Sequence, residues 1–125
     1  MVKNTETDAI LLFAHGSRLS ELKDELAAQI QLIKEISGYQ IVEMSFLEIT
    51  EPDMLGGVRR CVEQGAQRIR IVPYLLNMGS HVRRDLPERV EEAQQKFPGV
   101  EITVARHLGV DPLLAELVVK RAERG

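Results

Sequence analysis

A single cysteine, Cys61, stands in this 125-residue chain, which excludes an internal disulfide and leaves no CxxC pair from which to build a zinc site. Its expected role is to fill space, and a reducing compartment is compatible with it. Excess positive charge is also lacking: 16 Lys and Arg stand against 19 Asp and Glu, for a net charge of −3. Nothing in that balance draws the chain toward nucleic acid or an anionic membrane, so any anionic ligand must be held by local basic residues. Long apolar runs are missing. The longest early one, Ala9 to Ala14, is too short for a signal-peptide core or a membrane span and follows Glu6 and Asp8. No internal repeat, low-complexity tract or linker interrupts the chain. The expectation is a soluble, cytoplasmic protein of one domain over residues 1–125, with a polar tail at residues 1–8 and a core of its own.

What is present is an alternation of strand and helix patterns. Ala9 to Ala14 is continuous hydrocarbon, as in a strand covered on both faces. Leu19, Leu22, Leu26, Ile30 and Ile33 then recur at helical spacing, with Ser20 as cap and Gly38 as stop. A second strand, Ile41 to Leu47, alternates, with Glu43 and Ser45 on a face expected to be partly wet. Thr50-Glu51-Pro52-Asp53 reads as a helix start with Thr50 as cap candidate, and the helix runs to about Gly65. Gly56 and Gly57 within it suggest a close approach, by packing on the sheet or by a flat ligand. Strand three, Ile69 to Leu76, contains Pro73, which cannot donate to a ladder and implies a bulge or a pairing end near the site. A flexible Gly79-Ser80 link then presents His81. Asp85 and Glu88 form a capping-box pattern around Pro87, with Val82, Leu86, Val90, Ala93 and Phe97 on one helical face. Strand four, Glu101 to Ala105, alternates, and Asp111-Pro112 opens a last helix carrying Leu113, Leu114, Leu117 and Val118.

The order βαβαβαβα predicts an α/β fold of three layers around a parallel sheet with right-handed crossovers. Strands one and three are the most apolar and so the central ones, giving the flavodoxin-like order 2-1-3-4. In that order the loops after strands one and three diverge and leave a crevice, with His15 on one lip, His81 on the other and Glu48 beside the first. Thirty-three residues separate His15 from Glu48, and again Glu48 from His81, as two successive turns of one βα unit would. Two imidazoles and a carboxylate can hold a divalent first-row ion and leave coordination positions open, as a catalytic or delivery site requires. His107, after strand four, is either a fourth ligand or a surface residue, and the second reading is preferred.

Three ordered motifs carry a resemblance: Phe13-Ala14-His15-Gly16-Ser17-Arg18; Phe46-Leu47-Glu48 followed by Pro52; and Val72-Pro73-Tyr74-Leu75-Leu76 with Gly79-Ser80-His81 and Asp85. Over nearly the whole chain, this resembles the small, single-domain sirohydrochlorin chelatases of the class II chelatase family. The resemblance implies insertion of cobalt, iron or nickel into a sirohydrochlorin-type tetrapyrrole without ATP, with no cofactor beyond that substrate metal ion. It implies a homodimer equivalent to the two-domain relatives. It further implies that His15 and His81 hold the metal or take pyrrole protons, with Glu48 at the position of a family acidic residue.

The residue types suit that chemistry. Two pyrrole N–H protons must leave near neutral pH, and imidazole, whose ordinary pKa is about 6.5, can accept one while its neutral form ligates metal. Arg18, Arg83 and Arg84 are the guanidiniums nearest the histidines in sequence and can orient substrate carboxylates; Arg59 and Arg60 are weaker candidates. Ser17 and Ser80, beside the two histidines, complete the candidate substrate-binding set. A histidine phosphatase is the rival enzyme, but its phosphate pocket needs an Arg where this chain has Ala14. A metal or tetrapyrrole carrier using the same ligands is the rival outside enzymes. Imidazole and carboxylate accept cobalt, nickel and iron alike, so neither the metal nor the pathway follows from the residues.

Overall fold

A computed structural model describes residues 3–125. Eight elements alternate: β1 (Asp8–Ala14), α1 (Glu21–Ser37), β2 (Ile41–Phe46), α2 (Met54–Glu63), β3 (Arg68–Pro73), α3 (Ser80–Lys96), β4 (Glu101–Val104) and α4 (Pro112–Arg124). The four strands are parallel in the order β2-β1-β3-β4, the arrangement the apolar pattern predicts. β1 is paired on both edges, Phe13 lying opposite Ser45 on one side and Pro73 on the other. Alternate side chains of β1 leave the sheet on opposite faces. Leu12 and Ala14 meet Leu26 of α1, while Leu11 and Phe13 meet Val58 of α2 and Leu86 of α3. Leu11, Phe13 and Ile71 are wholly buried, and each such side chain contributes about 1.5–3 kcal/mol through the apolar surface it withdraws from water.

Several local expectations are overturned by competition for partners. Ser20 does not cap α1 with its side chain, and Leu19 lies outside the helix and exposed. The cap of α2 is Asp53, whose carboxylate accepts from the Gly56 N–H, while the Thr50 hydroxyl is engaged elsewhere. α3 starts five residues before Asp85, with Gly79 as its extended N-cap and the Arg83 N–H donating to the Gly79 carbonyl. His81 therefore sits in the first turn of a helix rather than on a flexible link. Pro87 falls inside that helix and leaves one carbonyl of the preceding turn without its usual donor. Ser45, expected on a wet face, is fully buried, and its hydroxyl donates to the Leu12 carbonyl.

Met1 and Val2, part of the expected polar tail, lie outside the described residues. The rest of that segment is tied to the body: the Thr5 carbonyl accepts from Gln40 N–H and the Thr7 carbonyl from Gln67 N–H. Asp8 then meets Arg68 at 2.8 Å, and this bond holds the Asp8 carboxyl below the usual carboxylate range. The ion pair's contribution is present above the ordinary carboxylate pKa and fades as pH falls through the lowered one. Cys61 is buried, and burial pushes its thiol pKa up to about 12, in keeping with a space-filling role.

α4 is the outlier. Asp111 caps it as expected, its carboxylate accepting from the Leu113 N–H, and Pro112 opens the first turn. Yet it buries none of its residues, and Leu113 and Val118 are 74% and 64% exposed.

Gly57 resolves the question of close approach in favour of packing. A β-carbon there would lie 2.9 Å from both Leu11 Cδ1 and Ser45 Cβ, so α2 touches the sheet because this position is bare. In an open helix, Gly→Ala gains about 1 kcal/mol. Here overpacking, which costs about 1–3 kcal/mol, is expected to win. Gly57→Ala should lower the urea midpoint, and an unchanged or raised midpoint would show that the layers have slack.

Candidate active site

The carboxyl ends of β1, β2 and β3 bring together residues that lie far apart in sequence. β1 leads to α1 on one face of the sheet and β3 leads to α3 on the other, so their loops part at the strand ends. His15 follows β1 directly, Glu48 lies just beyond β2, and His81 enters from the first turn of α3. The rings of His15 and His81 stand 6.2 Å apart, edge to face at 86°.

The backbone holds His15 and Glu48 in register. Beyond the strands, the ladder continues as Leu47 N–H donates to the Ala14 carbonyl and Glu48 N–H to that of His15. Gly16, at φ +111°, passes so close to the Glu48 carbonyl that any β-carbon would collide with it; only glycine fits both the angle and the space. Ile49 takes φ +70°, a left-handed conformation that strains a β-branched residue and is tolerated where the surroundings enforce it. Thr50 supplies that enforcement: its hydroxyl accepts from Ser17 N–H at 2.9 Å and donates to the Ser17 carbonyl at 2.8 Å. Arg89 of α3 adds a bond from its guanidinium to the Leu47 carbonyl.

On this scaffold the side chains form two adjacent pairs. His15 Nε2 lies 3.6 Å from Glu48 Oε1, both side chains about half exposed, and His81 Nε2 lies 2.8 Å from Asp85 Oδ2. Arg84 Nε donates to the other Asp85 oxygen at 3.1 Å, and this bond, with the adjacent Arg84 charge and His81, holds Asp85 below the usual carboxylate range. Among the described residues no three His, Cys, Asp or Glu side chains close into a ready ligand group. His15, Glu48 and His81 thus share one open edge as parts of two pairs. Such an edge can take protons and offer nitrogen and oxygen ligands to an ion delivered from solution, without enclosing it.

The remaining candidates fall into place around this edge. Ser17 binds Thr50 through its backbone N–H and carbonyl, and its hydroxyl oxygen accepts from the Leu19 N–H, which leaves the hydroxyl hydrogen to offer. Ser80 is the exposed first residue of α3, Arg18 is exposed, and Arg83 donates from Nε to the Met78 carbonyl. Arg59 lies over the Phe97 ring at 5.5 Å, at the far end of α3 from His81. His107 belongs to a loop pinned beside β3, where Leu108 N–H donates to the Leu75 carbonyl. No ring or ion-pair contact among the described residues joins it to the other two histidines. Sequence reading missed Asp85 as partner of His81, Thr50 as a clamp and Arg89 as a strut. The four-residue spacing of His81 and Asp85 was the available signal, obscured once the helix start was placed at Asp85.

Comparison with known proteins gives a consistent picture. The family model CbiX matches residues 9–125. A sirohydrochlorin ferrochelatase of Priestia megaterium is 38% identical over 91% of this chain and 43% of its own length. A sirohydrochlorin cobaltochelatase of Sulfurisphaera tokodaii is 32% identical over 91% of this chain and 90% of its own. The crystal structure of the sirohydrochlorin chelatase SirB from Bacillus subtilis subspecies spizizenii, in complex with cobalt, superposes with a TM-score of 0.83 at 34% identity. That match covers 94% of this chain and 50% of SirB. The chain therefore spans about half the length of the longer proteins it matches.

The Thr50 clamp yields a test. Thr50→Val keeps the shape and removes two partly buried hydrogen bonds, so it should cost about 1–3 kcal/mol in chemical denaturation. Thr50→Ser keeps the hydroxyl and should stay near wild type. A Thr50→Val variant as stable as the wild type, or a Thr50→Ser variant as destabilised as Thr50→Val, would show that the two hydroxyl bonds are not the clamp.

Proposed function

Because this chain belongs to the CbiX family, we propose that it inserts a divalent first-row metal, Co²⁺, Fe²⁺ or Ni²⁺, into sirohydrochlorin without ATP and with no cofactor beyond that substrate ion. The observation that carries the reading is the meeting of the His15–Glu48 and His81–Asp85 pairs at one open sheet edge, with the two rings 6.2 Å apart. A macrocycle is a broad plate, and an edge with ligands on both lips of a crevice suits it better than an enclosed pocket. In this reading His15, Glu48 and His81 are the metal-handling and proton-accepting groups. One imidazole ligates the ion as the other takes a pyrrole proton, and Glu48 ligates or takes the second. Arg18, Arg83 and Arg84, with Ser17 and Ser80, line the rim for the substrate's carboxylates. Cytoplasmic residence fits the buried lone thiol and the lack, among the described residues, of a helix long and apolar enough to cross a membrane.

The working unit in this proposal is a homodimer, since one domain offers a plate-shaped substrate only one wall. α4 supports it. A lone helix of 13 residues is marginal in water, and this one shows solvent an apolar stripe of Leu113, Leu117 and Val118. A groove of matching character, lined by Leu86, Pro87, Val90, Ile102 and Val104, runs between α3 and the edge strand β4. A second copy laying its α4 there, and receiving the first copy's α4 in return, buries both surfaces by one symmetric contact.

Sirohydrochlorin incubated with the purified protein and each metal, and followed by absorbance, tests the activity. His15→Ala and His81→Ala should each lower the rate by on the order of 10²-fold or more with the fold retained, and His107→Ala far less. Metal binding without faster insertion would identify a carrier instead. Sedimentation should return a dimer that Leu117→Glu dissociates, and a wild-type monomer with full activity would refute the pairing.

A further inference from the structure

The sequence pattern places Asp85 at a helix start, and the structure gives it different work. It lies one turn along α3 from His81, its Oδ2 is 2.8 Å from His81 Nε2, and its side chain is only 19% exposed. Oδ1 accepts from Arg84 Nε at 3.1 Å, so both carboxylate oxygens are occupied and the group has little freedom to turn. A carboxylate accepts and does not donate, hence the nitrogen facing it must carry hydrogen. Nε2 of His81 is thereby engaged, and Nδ1 is left as the nitrogen with an available lone pair. His15 differs: its Nε2 approaches Glu48 only to 3.6 Å, beyond good hydrogen-bond distance, and its ring is free to choose either nitrogen.

We propose that Asp85 is a positioning residue for His81: by accepting the Nε2 hydrogen it locks the ring's orientation and reserves Nδ1 for the incoming metal ion or pyrrole proton. This rests on the metal-insertion reading for its role in turnover, but its effect on metal binding does not. Asp85 touches neither ion nor macrocycle in this scheme. No proton is transferred between Asp85 and His81. The pairing of a ligating imidazole with a carboxylate on its other nitrogen raises ligand basicity and fixes the tautomer, and losing such a partner costs about 10- to 100-fold in metal affinity or activity. The two histidines are then unequal, one held by a close partner and one not, which divides the work of ligand and base between them.

The test compares Asp85→Ala, Asp85→Asn and His81→Ala in the full chain. Co²⁺ binding is measured with the metal alone, alongside steady-state insertion with sirohydrochlorin and thermal denaturation. Asp85→Ala should weaken Co²⁺ binding about 10- to 100-fold and lower kcat by a similar factor. KM for sirohydrochlorin should move less than kcat does, because only Arg84 of the proposed rim arginines bonds to Asp85, while Arg83 is held by the Met78 carbonyl. Asp85→Asn keeps a carbonyl oxygen able to accept from Nε2 and should recover most of both losses. Wild-type Co²⁺ affinity in Asp85→Ala, with His81→Ala defective, overturns the proposal and leaves the proposed function standing. An Asp85→Asn variant as impaired as Asp85→Ala also overturns it, since the hydrogen bond would not be the contribution. If the wild type binds Co²⁺ through His81 and never inserts it, the functional reading fails while the Co²⁺ comparison still decides the role of Asp85.

Discussion

Everything at the carboxyl edge depends on β1 being hydrogen-bonded along both sides. A strand paired on two edges cannot slip by one residue without sending Leu11 and Phe13 to the wrong layer. The register is therefore set by the core, and it carries past the strand ends into the loops. Leu47 and Glu48 continue to donate to Ala14 and His15 after regular pairing has stopped, and Tyr74 does the same to Phe13. His15 and Glu48 are consequently placed by backbone bonds that the hydrophobic layers enforce, and they need no close mutual bond of their own.

That division explains why the side chains themselves are so loosely held. His15 and Glu48 stand about half exposed and 3.6 Å apart, an arrangement worth little as a salt bridge. Under the proposed function such looseness is an advantage: an edge that is to receive an ion from solution and give it up to a macrocycle gains from weak, open ligation, because a sealed site would keep the metal. Rigidity sits one layer back, in Gly16 against the Glu48 carbonyl, in the left-handed Ile49 and in the Thr50 hydroxyl. His81 is steadied differently, by a helix and by Asp85.

The strand and helix succession and the sheet order were readable from the chain because they follow from where apolar residues recur, and burial acts on every residue of an element at once. Hence Pro73 marks the end of β3 and the apolar runs of β1 and β3 mark the centre of the sheet. The caps were less readable. Thr50 and Asp85 have the side chains that caps use, yet each found another partner, Ser17 on a neighbouring loop for one and His81 one helical turn back for the other. One oxygen serves the nearest well-placed donor, and sequence spacing does not reveal donors that arrive from another loop. α4 was expected and is present, but its periodicity, that of a packed helix, does not say which surface it packs on.

By itself, then, the sequence determined the α/β class, the order 2-1-3-4, the crevice between β1 and β3, and the trio His15, Glu48 and His81 beside it. Each of these follows from local patterns added along the chain. The tertiary structure alone decided that the trio would stand as two pairs, that His81 would ride on a helix with Asp85, and that α4 would remain bare. The first is set by a distance of a few ångströms between groups 33 residues apart, and the second by the register at which one helix begins. A hydrogen bond is won or lost within such distances.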